Sequence, residues 1–125
     1  MAVTHPTAVR TAVADFIVDQ LDEGSPPGTL EFQTSGNVEV ATLTFNTTAY
    51  GAASSGVATA AAITADSSAT GGTIAKARQK NAAGTDKIIC SVTAVGGGGD
   101  IEMGSVVVSA GQSVSITSLT YEAMP

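Results

Sequence analysis

The chain has few of the residues on which enzyme chemistry and ligand stacking depend. Its 125 residues include one cysteine, one histidine, no tryptophan, three phenylalanines and two tyrosines. A single cysteine excludes an intramolecular disulfide and a zinc site built from cysteines. The scarcity of aromatic side chains argues against a carbohydrate-binding module and against nucleic-acid folds that stack bases.

Catalytic, metal and cofactor sites are not indicated by the motifs. His5 precedes the predicted helix in an N-terminal arm, so no base can be placed beside a nucleophile. Asp100 and Glu102 could ligate calcium beside the glycine run at 96–99, but two carboxylates do not make the ligand series of a calcium loop. The glycine run lacks a following Gly-Lys-Ser/Thr and predicts a flexible turn rather than a phosphate loop. We therefore expect no enzyme activity, no metal and no cofactor.

Charge and hydropathy narrow the choice of partners. Eleven acidic residues against five basic ones give a net charge of −6, which repels phosphate backbones and anionic lipids, so direct nucleic-acid or membrane binding is not expected. The N-terminus lacks a signal-peptide pattern and no apolar run approaches the roughly 18 residues of a membrane span, which predicts a protein made in the cytoplasm. Leu, Ile, Val and Phe supply only 27 of the 125 residues. This predicts a thin core, to which subunit contacts could add stability.

One segment has helical periodicity. Apolar residues recur at three- and four-residue intervals between residues 7 and 21 and share one helix face, with Asp15, Asp19 and Asp22 on the other side. We expect a helix within residues 6–23, ended by the Gly- and Pro-rich segment 24–28. Its acidic side is expected to face either solvent or a partner. Its apolar stripe should dock either on the protein's own sheet or on a second copy across a twofold axis, and the spacing does not distinguish the two. The stripe residues are Val9, Val13, Phe16, Ile17 and Leu21.

The rest of the chain alternates apolar and polar residues with the two-residue period of β-strands. About seven or eight short runs of alternating apolar and polar residues, separated by turn residues, predict a mainly β protein, an antiparallel β-sandwich or jelly roll over residues 29–122 with one N-terminal α-helix. Residues 1–125 are expected to form a single domain. The apolar phase slips by one residue between Val40 and Ala41, which predicts a β-bulge. Cys90 lies among apolar residues and is expected to be a small buried side chain.

The clearest predicted hairpin carries most of the basic residues. Residues 74–80 and 87–95 alternate at strand period around a turn at 81–86, and four of the five basic residues lie in this hairpin: Lys76, Arg78, Lys80 and Lys87. If the hairpin closes, Lys80 and Lys87 lie near each other. This is unfavourable unless carboxylates or anions compensate the positive charge. The basic face is either a solvated surface that prevents edge-to-edge pairing or a contact with acidic groups of a neighbouring subunit, such as Asp15 and Asp19.

The order of these elements resembles that of small structural proteins of tailed bacteriophages. Four segments carry the resemblance and together cover nearly the whole chain: AVRTAVADFIVDQLDEGSPPGTLEF, VATLTFNTTAYGAASSGVATAAAIT, GGTIAKARQKNAAGTDKIICSVTA and GGGGDIEMGSVVVSAGQSVSITSLTY. The resemblance implies a capsid decoration or cement protein, a compact β-sandwich or jelly-roll subunit on the outside of an icosahedral shell that bridges neighbouring capsomers.

This resemblance sets the expected partners and place. We expect contacts with the major capsid protein and with other copies of the chain, in a virion. Two alternatives remain open: another virion component, such as a tail tube or fibre subunit, and a β-sandwich binding or adhesin module. The candidate contact residues are those of the helix stripe and the basic hairpin.

Overall fold

The computed structural model describes residues 3–25 and 27–123. Within them, helix α1 spans Thr7–Asp19 and continues as one 3-10 turn, Gln20–Asp22. Nine strands follow in chain order: β1 Thr29–Gln33, β2 Glu39–Thr44, β3 Val57–Thr59, β4 Gly72–Thr73, β5 Lys76–Lys80, β6 Asp86–Ala94, β7 Ile101–Met103, β8 Val107–Val108 and β9 Thr120–Glu122. The protein is mainly β with one N-terminal helix, as the periodicity predicts.

A five-stranded sheet forms the centre of the fold. Its strand order is β2-β1-β5-β6-β7, and two further pairs, β3-β9 and β4-β8, stand beside it. The predicted hairpin is confirmed as β5 and β6, which pair antiparallel from Lys76 opposite Ser91 to Lys80 opposite Asp86. The predicted bulge is confirmed as well. The register shifts between Phe32 and Gln33, which leaves Val40 unpaired in β2 and lets both Val40 and Ala41 face the core.

The expectation of a purely antiparallel sheet is wrong at one place. Strand β7 runs parallel to β6, with Val92 opposite Ile101. A parallel return usually needs a dozen or more residues, whereas this one is made within residues 95–100. Gly96 and Gly98 have positive φ angles of 90° and 81°, and this left-handed conformation lets the chain turn back sharply.

The core lies on the inner face of this sheet and is built from few large side chains. Phe32, Leu30 and Leu43 are fully buried there, and Leu21 from the helix end joins them. Five of the twenty residues in the buried cluster of the described chain are alanine: Ala41, Ala49, Ala58, Ala69 and Ala77. Alanine buries little apolar area per residue, so these positions add little to the core.

Candidate functional site

Helix α1 turns most of its predicted docking stripe away from the protein. Phe16 is 68% exposed, Val9 44% and Val13 39%. Ile17 is half-buried and Leu21 is buried. The stripe therefore divides. Its C-terminal residue packs on the protein's own core, and docking on the protein's own sheet is excluded for Phe16, the most exposed of these side chains.

Two aspartate side chains hold the helix against the loop that precedes β3. The backbone N–H of Ala53 donates to Asp15 Oδ1 at 2.7 Å, and the N–H of Ala49 donates to Asp22 Oδ1 at 2.9 Å. Ala14 and Val18 are buried between these anchors. The expectation that the acidic side faces solvent or a partner is therefore wrong for Asp15 and Asp22, because their carboxylates cap loop amides that would otherwise lack acceptors.

The first turns of the helix are anchored in the same way. The N–H of Gly56 donates to Thr11 Oγ1 at 3.0 Å, and Arg10 Nη2 donates to the carbonyl oxygen of Ala123 at 3.2 Å. The same guanidinium lies 3.5 Å from Glu122. These bonds tie the N-terminal half of the helix to the start of β3 and the end of β9 and, with those of Asp15 and Asp22, fix the direction of the outward face.

The outward face forms a shallow apolar groove, here called the helix patch. It carries no charged residue and is lined by Ala8, Val9, Ala12, Val13, Phe16 and Ile17. Ala8 and Ala12 were not among the sequence candidates. The i, i+4 spacing from Ala8 through Ala12 to Phe16 is the signal that could have found them. An exposed contiguous apolar surface of this kind is typical of an interaction site.

The basic hairpin is neutralised by carboxylates of the same chain. Arg78 pairs with Asp86, and Lys80 Nζ lies 3.3 Å from Glu31 and 3.8 Å from Asp86. Lys87 Nζ lies 2.8 Å from Glu23, which follows the helix. Carboxylates of the same chain thus compensate the predicted crowding of positive charge.

Lys76 completes this surface with an amide partner. Its ammonium group donates to Asn37 Oδ1, which also accepts from Arg78 Nη2 at 3.3 Å. Asn37 lies in the turn between β1 and β2 with a φ of 68°, a left-handed conformation that asparagine tolerates. The structure therefore brings the four predicted contact residues of the hairpin together on the outer sheet face. Each of them already has a hydrogen-bond or ion-pair partner in the same chain: Lys76, Arg78, Lys80 and Lys87.

Most of the described acidic side chains have no basic partner. All eleven carboxylates are within the described residues, and four of them, Glu23, Glu31, Asp86 and Glu122, pair with basic side chains. The other seven have no cationic partner among the described residues, and three of these seven are on or just after the helix: Asp15, Asp19 and Asp22. Of these three, Asp19 is exposed beside the helix patch, whereas Asp15 and Asp22 accept hydrogen bonds from loop amides.

Asp100 and Glu102 serve the tight return between β6 and β7. The N–H groups of Gly96 and Gly98 donate to the Glu102 carboxylate at 3.4 and 3.0 Å. Asp100 Oδ2 accepts from the backbone N–H of Ser91 at 2.9 Å. Over residues 3–25 and 27–123, no group of three or more His, Cys, Asp or Glu side chains has the arrangement of a metal site. A groove of about 350 Å³ beside β7 is bordered by these residues and by the polar segment 115–120.

A polar chain crosses the core beneath β5. Tyr50 Oη donates to Gln79 Oε1 at 2.7 Å, and Gln79 Nε2 donates to Cys90 Sγ at 3.6 Å. Cys90 is buried, as expected. Burial is the main cause that raises the pKa of both the Cys90 thiol and the Tyr50 phenol. A raised thiol pKa leaves little thiolate at neutral pH, so the arrangement favours a structural role over a nucleophilic one.

Comparisons of the chain with protein-family models, curated proteins and solved structures found no match in any of the three. In the part of the chain that the structure describes, no helix combines the length and the apolar character needed to cross a membrane.

Proposed function

We propose that the protein is a virion structural protein, a capsid decoration or cement subunit that binds the outside of an icosahedral phage shell and bridges capsomers. The observation that carries the proposal is the helix patch: a rigidly anchored helix that presents Phe16, Val13 and Val9 to the outside. A protein that binds by surface contact needs such a pre-formed apolar face, because pre-organisation lowers the entropy cost of binding. The resemblance in element order to small tailed-phage structural proteins supplies the setting.

We also propose the sandwich architecture that such subunits have. The pairs β3-β9 and β4-β8 would form the second layer over the inner face of the five-stranded sheet. Support comes from the core, in which Ala58 of β3, Val108 of β8 and Leu119 just before β9 belong to the same buried cluster as Phe32 of the sheet. Side chains from two layers that meet in one cluster are typical of a sandwich.

The role proposed is structural rather than catalytic. The partners would be the major capsid protein and neighbouring copies of the chain, and the location the exterior of the capsid. Many copies with modest contacts can add up to tight attachment on a repeating surface. A catalytic turnover that depends on Asp100 or Glu102 would contradict this proposal.

Binding to empty shells tests the function. Purified protein is added to shells of the encoding phage that lack their outer protein, and the particles are imaged. Regular density at capsomer junctions is the expected result. Spontaneous tubes or rings of the free protein would favour a tail tube or fibre subunit instead, and glycan binding without shell binding would favour an adhesin module.

A further inference from the structure

The charges around the helix patch define the chemistry of its partner. Asp19 is exposed one helical turn after Phe16, whereas Asp15, one turn earlier on the same flank, is half-buried and accepts the hydrogen bond from Ala53. The one basic residue of the helix, Arg10, is half-buried and engaged with Glu122 and Ala123. Among the residues that the structure describes, the patch is therefore an apolar strip bordered by one exposed carboxylate, Asp19, with no exposed lysine or arginine beside it.

This border disfavours a second copy of the chain as the occupant. Each copy carries a net charge of −6. In a parallel pairing of two patches Asp19 would meet Asp19, and in an antiparallel pairing it would approach Ala8 and Ala12, which offer no countercharge. Like charges brought together at an interface cost free energy unless a cation answers them.

The size of the patch also disfavours a second copy as its occupant. A helix of 13 residues is about 20 Å long and 10 Å wide, so its outer face covers on the order of a few hundred Å². A stable two-protein interface buries about 800 Å² on each partner. The patch alone would not hold a dimer in solution, but it can serve as one of several contacts on a repeating surface.

We infer that the helix patch inserts into an apolar groove edged by lysine or arginine side chains on a different protein chain, the shell protein itself. This inference rests on the proposed function and adds to it the face that meets the shell. Phe16 is the central side chain of the contact, because a large exposed aromatic side chain on a rigid helix loses little entropy when it is buried. Asp19 faces the cationic edge of the groove.

Two substitutions separate the apolar and the charged parts of the contact. Phe16→Gln keeps a good helix former and removes the ring, and we expect at least about a tenfold loss of affinity for undecorated shells. Asp19→Asn removes the charge, and we expect a loss of up to about fivefold at low salt that vanishes at high salt. Ile89→Gln is the matched control, because Ile89 is 62% exposed on β6 of the five-stranded sheet, whereas the helix packs against β3 and β9. It should bind as the unaltered chain does.

The outcomes distinguish this inference from the proposed function. Shell binding by the unaltered protein that Phe16→Gln does not weaken, or that Ile89→Gln weakens equally, overturns the inference and leaves the function standing. Absence of shell binding by the unaltered protein overturns both. Sedimentation equilibrium of the free protein gives a separate check. A monomer is expected, whereas a dimer that Phe16→Gln dissociates would identify a second copy as the occupant and overturn the inference. Unchanged circular dichroism and melting temperature confirm that each variant is folded.

Discussion

Replacing Tyr50 by Phe should destabilise the protein although it removes a single oxygen atom. Gln79, the partner of that oxygen, is only 2% exposed, and its Oε1 accepts from Tyr50 Oη at 2.7 Å. Without the hydroxyl group, this carbonyl oxygen is left in the core with no partner. An unsatisfied buried acceptor costs about 1–3 kcal/mol, so we expect the free energy of unfolding to fall by about 2 kcal/mol.

Urea denaturation at pH 7 measures this loss. With a slope of about 1.5 kcal/mol per molar urea for a domain of this size, the midpoint should fall by about 1.3 M without a change in slope. The matched control is Gln79→Met, alone and combined with Tyr50→Phe. The double variant removes both partners and should be more stable than the sum of the two single effects predicts, by at least ~1 kcal/mol. Additive effects, or a Tyr50→Phe variant as stable as the parent, would refute the buried hydrogen bond.

The same pair gives a prediction for alkaline pH. Burial raises the pKa of Tyr50 above its ordinary value, so the folded state favours the neutral phenol. The contribution of the buried Tyr50 phenol to the free energy of unfolding is therefore complete below the ordinary tyrosine pKa of about 10. It is lost as the pH rises beyond that value. The pKa of Cys90 is also raised, mainly by burial, and starts an equivalent loss from about pH 8.5. Tyr50→Phe should remove the later loss and Cys90→Ala the earlier one, whereas identical pH profiles for all three proteins would contradict the assignment.

Three further substitutions test the fold around the helix and the sheet by chemical denaturation. Asp22→Ala removes the acceptor of the buried Ala49 N–H and should cost about 1–2 kcal/mol, while Asp19→Ala at an exposed position should stay within about 0.5 kcal/mol; equal effects would contradict the anchoring role. Gly28→Ala places a Cβ atom in steric conflict with the backbone oxygen of Lys80 and should cost about 1–3 kcal/mol. Its control is Gly104→Ala, where nothing lies within 4 Å of the added atom, and a stable Gly28→Ala variant would show that the two segments are further apart. Lys80→Met leaves Glu31 and Asp86 without this cation and should cost about 1 kcal/mol at low salt; a cost that does not shrink at high salt would argue against an electrostatic origin.

The bulge and the basic hairpin could be predicted because local pattern determines them. A one-residue slip in apolar phase at Val40 has few solutions other than a bulge, since both neighbouring residues must reach the core. The hairpin follows from two alternating runs around a turn rich in small and polar residues. Its ion pairs with Glu31 and Glu23 could not be predicted, because those residues are far away in sequence and meet the hairpin only through the strand order.

The orientation of the helix could not be read from its periodicity. Spacing identifies an apolar stripe but not which neighbour covers it. The deciding interactions are long-range: the amides of Ala49 and Ala53 need acceptors, and Asp22 and Asp15 provide them. Satisfying those amides turns Asp15 and Asp22 inward and leaves Phe16 and Asp19 exposed. The parallel strand β7 was missed for a related reason, because the glycine run indicates a turn but not its direction.

The anchoring of the helix explains how a thin-cored protein can keep an apolar face exposed. Hydrogen bonds from the loop that contains Ala49, Ala53 and Gly56 hold the helix in place, so its position depends only in part on apolar burial. The helix side chains that stabilise the fold and those that form the helix patch lie on different sides of the same helix. Changes to the anchors should therefore alter unfolding with little effect on the surface presented, and changes to the patch should alter binding with little effect on unfolding. The proposed binding role requires this separation, because a protein that binds through the helix patch must first fold with that patch exposed.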